Sequence, residues 1–255
     1  MKDIKALLDQ EANSRNQLCE LSYDKPDPLM VAKRQSDEYA ILLCALFAYG
    51  NANLIVKFLE SLDFSLLEQS DEIIDKTLDS YYYRFQNAQD IKTVFKTFKR
   101  LKNEASLEDM FYEVYKKDNS VLEAVDYLIQ KIHNTAQYHS LGFTFLISRP
   151  FKRDKQGKIK DIGNAPYKRW NMFLRWMVRS DCLDLGLWKN IDKKDLILPL
   201  DTHTFKVSQK LGLLERKNYD LKSALLITQK LKEFDEFDPI KYDFALYRLG
   251  QEKKL

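Results

Sequence analysis

Two short segments hold residue types that could do chemistry together. The first is KRWNMFLRWMVR, Lys168 to Arg179. Trp170, Phe173, Leu174, Met177 and Val178 recur at i, i+3, i+4, i+7 and i+8, which predicts a helix with one apolar face. Lys168, Met172, Arg175 and Arg179 fall on the opposite side. A lysine at a helix start sits at the positive end of the dipole, with Arg169 adjacent and Arg175 two turns on. Such surroundings favour the neutral amine, and a neutral lysine is a nucleophile. The position equally suits a surface lysine with its ammonium in water. The second segment is PLDTHTFKVSQKLG, Pro199 to Gly212. Asp201 reads as the N-cap of a helix, and Gly212 as the C′ residue that ends it. The open question is whether Asp201 is also a catalytic carboxylate.

Helical periodicity dominates the segments around these two. Glu38 to Tyr49 (EYAILLCALFAY) reads as a helix buried on most sides. Gly50 breaks the pattern, and Asn51 to Leu62 forms a second helix. Tyr82 to Leu101, Ser106 to Lys116 and Val121 to His133 continue the spacing. Leu141 to Ile147 (LGFTFLI) fits a strand or a buried loop. Arg149 to Gly163 is a long polar connection, mobile or folded as a small hairpin. Helices follow at about Tyr167 to Ser180, Thr202 to Leu211 and Leu221 to Phe234, and Asp238-Pro239 opens a last one. The expected fold is all-α, a single unit of two helical lobes with a cleft. Lobe one covers about 30–140; lobe two covers about 1–29 plus 141–255.

Composition agrees with helices joined by short loops: 255 residues contain only 7 Gly and 6 Pro. No apolar run approaches the roughly 18 residues of a membrane span, and the N-terminal segment lacks a signal-peptide apolar core. Cys19, Cys44 and Cys182 are far apart, without metal-site spacing. Reduced thiols in the cytoplasm, no metal and no cofactor are the expectation. Net charge is only +3, but Phe151 to Arg179 carries nine Lys/Arg against two Asp. That stripe suits a polyanion, or a solvated basic loop.

A lysine opening one helix and an aspartate capping a later one resembles the helix-hairpin-helix DNA glycosylase superfamily. LDTHTFKVSQKLG is the stronger match, and Lys168 the second. Ile41 to Leu62, the YRFQNAQDIKTVFKTFKRL segment and YDFALYRLG (Tyr242 to Gly250) extend the resemblance over roughly residues 38 to 250. Where the superfamily carries G-x-G before the lysine, this chain has Asn164-Ala165-Pro166-Tyr167. Asn tolerates positive φ, whereas Pro166 has no amide to offer a phosphate. The closing QEKKL lacks the four cysteines of the iron–sulfur branch. The interval of 33 residues from Lys168 to Asp201 is similar to that of the archaeal-type 8-oxoguanine glycosylases.

The resemblance implies a bifunctional DNA glycosylase/AP lyase of base-excision repair, acting at the nucleoid as a monomer on double-stranded DNA with a damaged base. Lys168 and Asp201 would be its catalytic pair. Asn164, Tyr167, Arg169, Arg175 and His203 would contact DNA, and Tyr49 and Asn51 would flank the loop that fills the gap left by a flipped base. Met172, one turn after Lys168, would line the base pocket. Three alternatives remain at this point: a DNA-binding module of the same fold without catalysis, a glycosylase for another damaged base, or a helical interaction protein with no nucleic-acid role, its basic stripe a solvated face.

Overall fold

The computed structural model describes residues 2–252, Lys2 by its backbone alone; the last three residues of QEKKL lie outside the described residues. Every regular element among them is a helix, and pairing of the β type is confined to isolated antiparallel bridges. The helices are α1 (Lys2–Arg15), α2 (Leu29–Ala32), α3 (Glu38–Leu46), α4 (Ala52–Ser61), α5 (Asp71–Thr77), α6 (Ala88–Glu104) and α7 (Leu107–Tyr115). They continue with α8 (Val121–Ala136), α9 (Leu141–Ile147), α10 (Lys168–Val178), α11 (Thr202–Lys210), α12 (Leu221–Lys232) and α13 (Asp243–Gln251). None of the helices among the described residues is long and apolar enough to cross a membrane.

The chain forms two compact units, Tyr23–Pro150 and Met1–Ser22 with Phe151–Leu255. Their boundaries fall at 22/23 and 150/151, against the 30 and 140 that the sequence pattern suggests.

In Tyr23–Pro150, α3 is buried from Tyr39 through Leu46, as its nearly unbroken apolar run requires. It stops at Leu46, and Gly50 takes φ +111° beside the Arg84 guanidinium, which occupies the space a Cβ would need. Asn51 then caps α4 by accepting the Leu54 amide. Helix α6 begins at Ala88, later than the sequence pattern suggests. Asn87 and Asp90 form a capping box there, a reciprocal pairing that pins a helix start. The residues before it fold into a turn with Arg84 at φ +52°.

The LGFTFLI run is α9, a helix, contrary to the strand or loop reading. Ser140 supplies its cap by accepting the Phe143 amide at 2.8 Å. Gly142 lets the helix approach so closely that a Cβ would strike Asp90 Oδ2 and the Phe85 carbonyl. Apolar run length alone does not separate these cases; the serine and glycine do.

In the other unit, α11 lies along α13, with Gly250 against His203 and Val207, and α1 packs on the same helix. The DPIKY segment is a 3-10 turn, Pro239–Tyr242, before α13 proper. The polar connection after Phe151 is a hairpin: the Asp154 amide donates to the Lys158 carbonyl at 2.9 Å and the Lys160 amide to the Lys152 carbonyl at 3.0 Å.

Candidate active site

Helix α11 begins as its residue types dictate. Asp201 is extended (φ −113°, ψ −178°), and its Oδ1 accepts the Thr204 amide at 2.8 Å. Its other oxygen takes up no hydrogen bond among the described residues. The approach to Asp201 is a buried strap, residues 196–200, held where the Leu198 amide donates to Thr228 Oγ1 at 3.0 Å. At the far end Gly212 has φ +69°, its amide reaching the Gln209 carbonyl while the Leu213 amide reaches Ser208. That is the Schellman arrangement, which satisfies the last carbonyls of a helix.

Lys168 is the first residue of α10. It is partly exposed, forms no ion pair among the described residues, and donates from Nζ to Met172 Sδ at 3.3 Å. Thioether sulfur is a weak acceptor, so the amine is placed by geometry more than by a strong bond. The turn ahead of it is fixed from several sides. Asn171 Nδ2 donates to the Pro166 carbonyl at 3.0 Å. Tyr167, in the left-handed region at φ +47°, stacks on Phe151 with ring centroids 3.8 Å apart.

Burial takes three of the expected DNA contacts, Arg175, Asn164 and Tyr167, and with them Arg179 of the basic stripe, off the protein surface. Arg175 is 4% exposed: Nε donates to Asp184 Oδ1 at 3.0 Å and Nη1 to Asp243 Oδ2 at 2.5 Å. Its guanidinium is committed to these two carboxylates inside the protein. Arg179 is likewise buried, bonded to Asp184 and, at 2.8 Å, to Asp238 Oδ1. The side of α10 expected to be polar therefore faces protein, and Trp170–Val178 is buried throughout.

Asn164 is also turned inward. Its side chain accepts from the Lys152 amide at 2.8 Å and donates to the Lys152 and Lys160 carbonyls at 3.1 and 2.7 Å. It staples the hairpin, and the positive φ values expected at Asn164 fall at Gly163 and Tyr167 instead. Tyr167 is buried against Phe151.

Of the remaining residues, Met172 is buried beneath the Lys168 amine, and Arg169 is partly exposed. His203 is exposed, its ring edge-on to Tyr247 at 6.1 Å. Tyr49 and Asn51 belong to the other unit. There the Tyr49 hydroxyl donates to buried Gln86, and its ring joins Tyr83, Phe85 and Phe145. Exposed positive charge gathers on the hairpin, at Lys152, Lys155, Lys158 and Lys160.

Sequence reasoning passed over one residue with a bearing on the pair. Asp243 is buried at the start of α13. Burial pushes its carboxyl up to about 6, against the pull of Arg175; Asp201 pushes it further up and Lys168 pulls it down. The Asp243 carboxyl thus feels both charges. For Arg175, burial opposes the charge, yet Asp184 and Asp243 outweigh it and hold the guanidinium above its ordinary value. A signal was present: two arginines at i, i+4 on an apolar helix need buried acids, and Asp243 interrupts the apolar YDFALY.

A family model described as a protein of unknown function (DUF2400) matches residues 27–252. The chain belongs to the DUF2400 family. Neither curated proteins nor solved structures give a match to this DUF2400 chain. No group of three or more His, Cys, Asp or Glu suited to holding a metal ion occurs among its described residues. What the DUF2400 chain offers chemically is an amine, a carboxylate and a basic hairpin within one unit.

Proposed function

We propose that this DUF2400 protein is a bifunctional DNA glycosylase/AP lyase that excises an oxidised purine, 8-oxoguanine by preference. One observation carries the reading. An amine without a carboxylate partner (Lys168) and a carboxylate with an uncommitted oxygen (Asp201) open two helices and both act on Asp243.

In the chemistry, the damaged nucleotide leaves the stack so that protein groups can reach it. Lys168 Nζ attacks the sugar C1′ as the bond to the base breaks, and the base departs with a proton. Asp201 stabilises the positive charge that develops on the sugar and relays the amine's proton. Ring opening gives an imine to Lys168. Loss of a C2′ proton then expels the 3′ phosphate and nicks the strand. Capping and catalysis are compatible, because Oδ1 fixes the carboxylate and leaves Oδ2 without a hydrogen-bond donor among the described residues. The hairpin lysines would take the phosphates, a sequence-independent contact.

The test is a panel of duplexes carrying 8-oxoguanine, uracil, an oxidised pyrimidine or an abasic site. Base release and a nick on the 8-oxoguanine duplex are expected, both lost in Lys168→Ala. Cleavage confined to another lesion would change the substrate. Salt-dependent binding without cleavage of any duplex would favour a DNA-binding module, and absence of binding would overturn the reading altogether.

A further inference from the structure

The end of the turn before α12 and the first residues of that helix touch the backbone ahead of both members of the pair. On one side, Tyr219 donates its hydroxyl to the Leu200 carbonyl at 2.7 Å, one residue before Asp201. On the other, the Leu221 amide donates to the Asn164 carbonyl and the Lys222 amide to the Asp161 carbonyl, each at 3.0 Å. Lys222 Nζ adds an ion pair to Asp161 Oδ2 at 2.9 Å. Asn164 leads into the turn that presents Lys168.

The anchor itself is well held. Asp220 caps α12 by accepting the Ser223 amide at 3.0 Å, and Arg216 pairs with it at 2.5 Å. The Tyr219 ring stands edge-on to Phe205 of α11, with centroids 5.6 Å apart at 88°. Burial, and to a lesser degree the charge of Asp201, keep the phenol above its ordinary value, so it remains a donor.

We propose that Tyr219 is a positioning residue for Asp201, and that residues 219–222 form a clamp fixing the strap before Asp201 against the turn before Lys168. The clamp's catalytic meaning rests on the reading of Lys168 and Asp201 as a pair; its geometry does not. A carboxylate capped through one oxygen can still pivot with the backbone that carries it, and the Leu200 carbonyl is the nearest outside hold on that backbone. Displacements of about 1 Å at a reacting group can cost on the order of a hundredfold in rate.

Tyr219→Phe removes the hydroxyl and keeps the ring against Phe205. Two readouts separate the clamp from the chemistry. Amide hydrogen exchange over residues 199–206 should rise at least about threefold in the variant. Borohydride trapping on an abasic duplex should slow by about tenfold at saturating DNA, with DNA affinity unchanged. Unaltered exchange together with an unaltered trapping rate would overturn the proposal, as would a defect confined to affinity. If the wild-type protein traps nothing, the lyase reading falls, and the exchange measurement alone decides the clamp.

Discussion

Under the proposed function Asp201 has two jobs, capping through one oxygen and catalysis through the other, and substitution can separate them. Asparagine accepts the same amide bond, so Asp201→Asn should keep its thermal midpoint close to wild type while base excision falls by about two to three orders of magnitude. Asp201→Ala should lose the cap as well, at about 1 kcal/mol in urea unfolding. Normal excision by Asp201→Asn would remove the carboxylate from the mechanism. In the other unit, Gly142 is the most tightly constrained glycine by contact. A methyl group there meets the Asp90 carboxylate and the Phe85 carbonyl, and Asp90 is already bonded to the Tyr138 and Ser140 hydroxyls and the Asn87 amide. Gly142→Ala should therefore destabilise the protein by about 1–3 kcal/mol, read by chemical denaturation; a neutral result would mean that α9 shifts freely.

At the scale of elements, α10 explains why a basic helix need not be a DNA-binding helix. Arg175 and Arg179 make a chain of buried ion pairs with Asp184, Asp243 and Asp238, and removing one partner leaves charge stranded in the interior. Arg175→Met should cost about 3–5 kcal/mol at neutral pH. The pH dependence has a definite sign. Asp243 is raised from 3.8 to about 6 by burial even with Arg175 present. A carboxyl raised in the folded state binds protons that the unfolded chain has released, so its contribution to stability declines as pH rises through that window. Without Arg175 the carboxyl moves higher still, and the deficit relative to wild type should be larger at pH 8 than at pH 5. Equal deficits at both values would contradict the assignment.

The same elements show what was legible in the sequence. Local signals sufficed where a cap and a period agreed: Asp201 with Gly212, and Asn51 after Gly50, are determined by a few neighbouring side chains. The inward role of Asn164 was not legible, because its partners, the Lys152 and Lys160 carbonyls, appear only once the hairpin closes. Nor was the fate of Arg175, since its aspartates come from a loop and from a helix 68 residues away in the chain. Lys168 and Asp201 stood out as chemistry-bearing types at helix starts; Asp243 and Tyr219 act through tertiary contacts that spacing does not encode.

For the whole molecule, burial of Arg175 and Arg179 shifts the expected phosphate contacts to the exposed hairpin. Lys155→Ala with Lys158→Ala should weaken binding to any duplex alike and flatten the salt dependence by about two phosphate contacts, measured as log Kd against log salt. An unchanged slope would place the DNA contacts elsewhere. The central claim, that Lys168 is the nucleophile, is tested most directly by borohydride reduction on a duplex carrying 8-oxoguanine or an abasic site, followed by peptide mass spectrometry of the adduct. The account predicts a covalent protein–DNA species whose modified residue is Lys168, absent in Lys168→Ala and strongly reduced in Asp201→Asn. An adduct mapped to a different lysine, or trapping undiminished in Lys168→Ala, would contradict it.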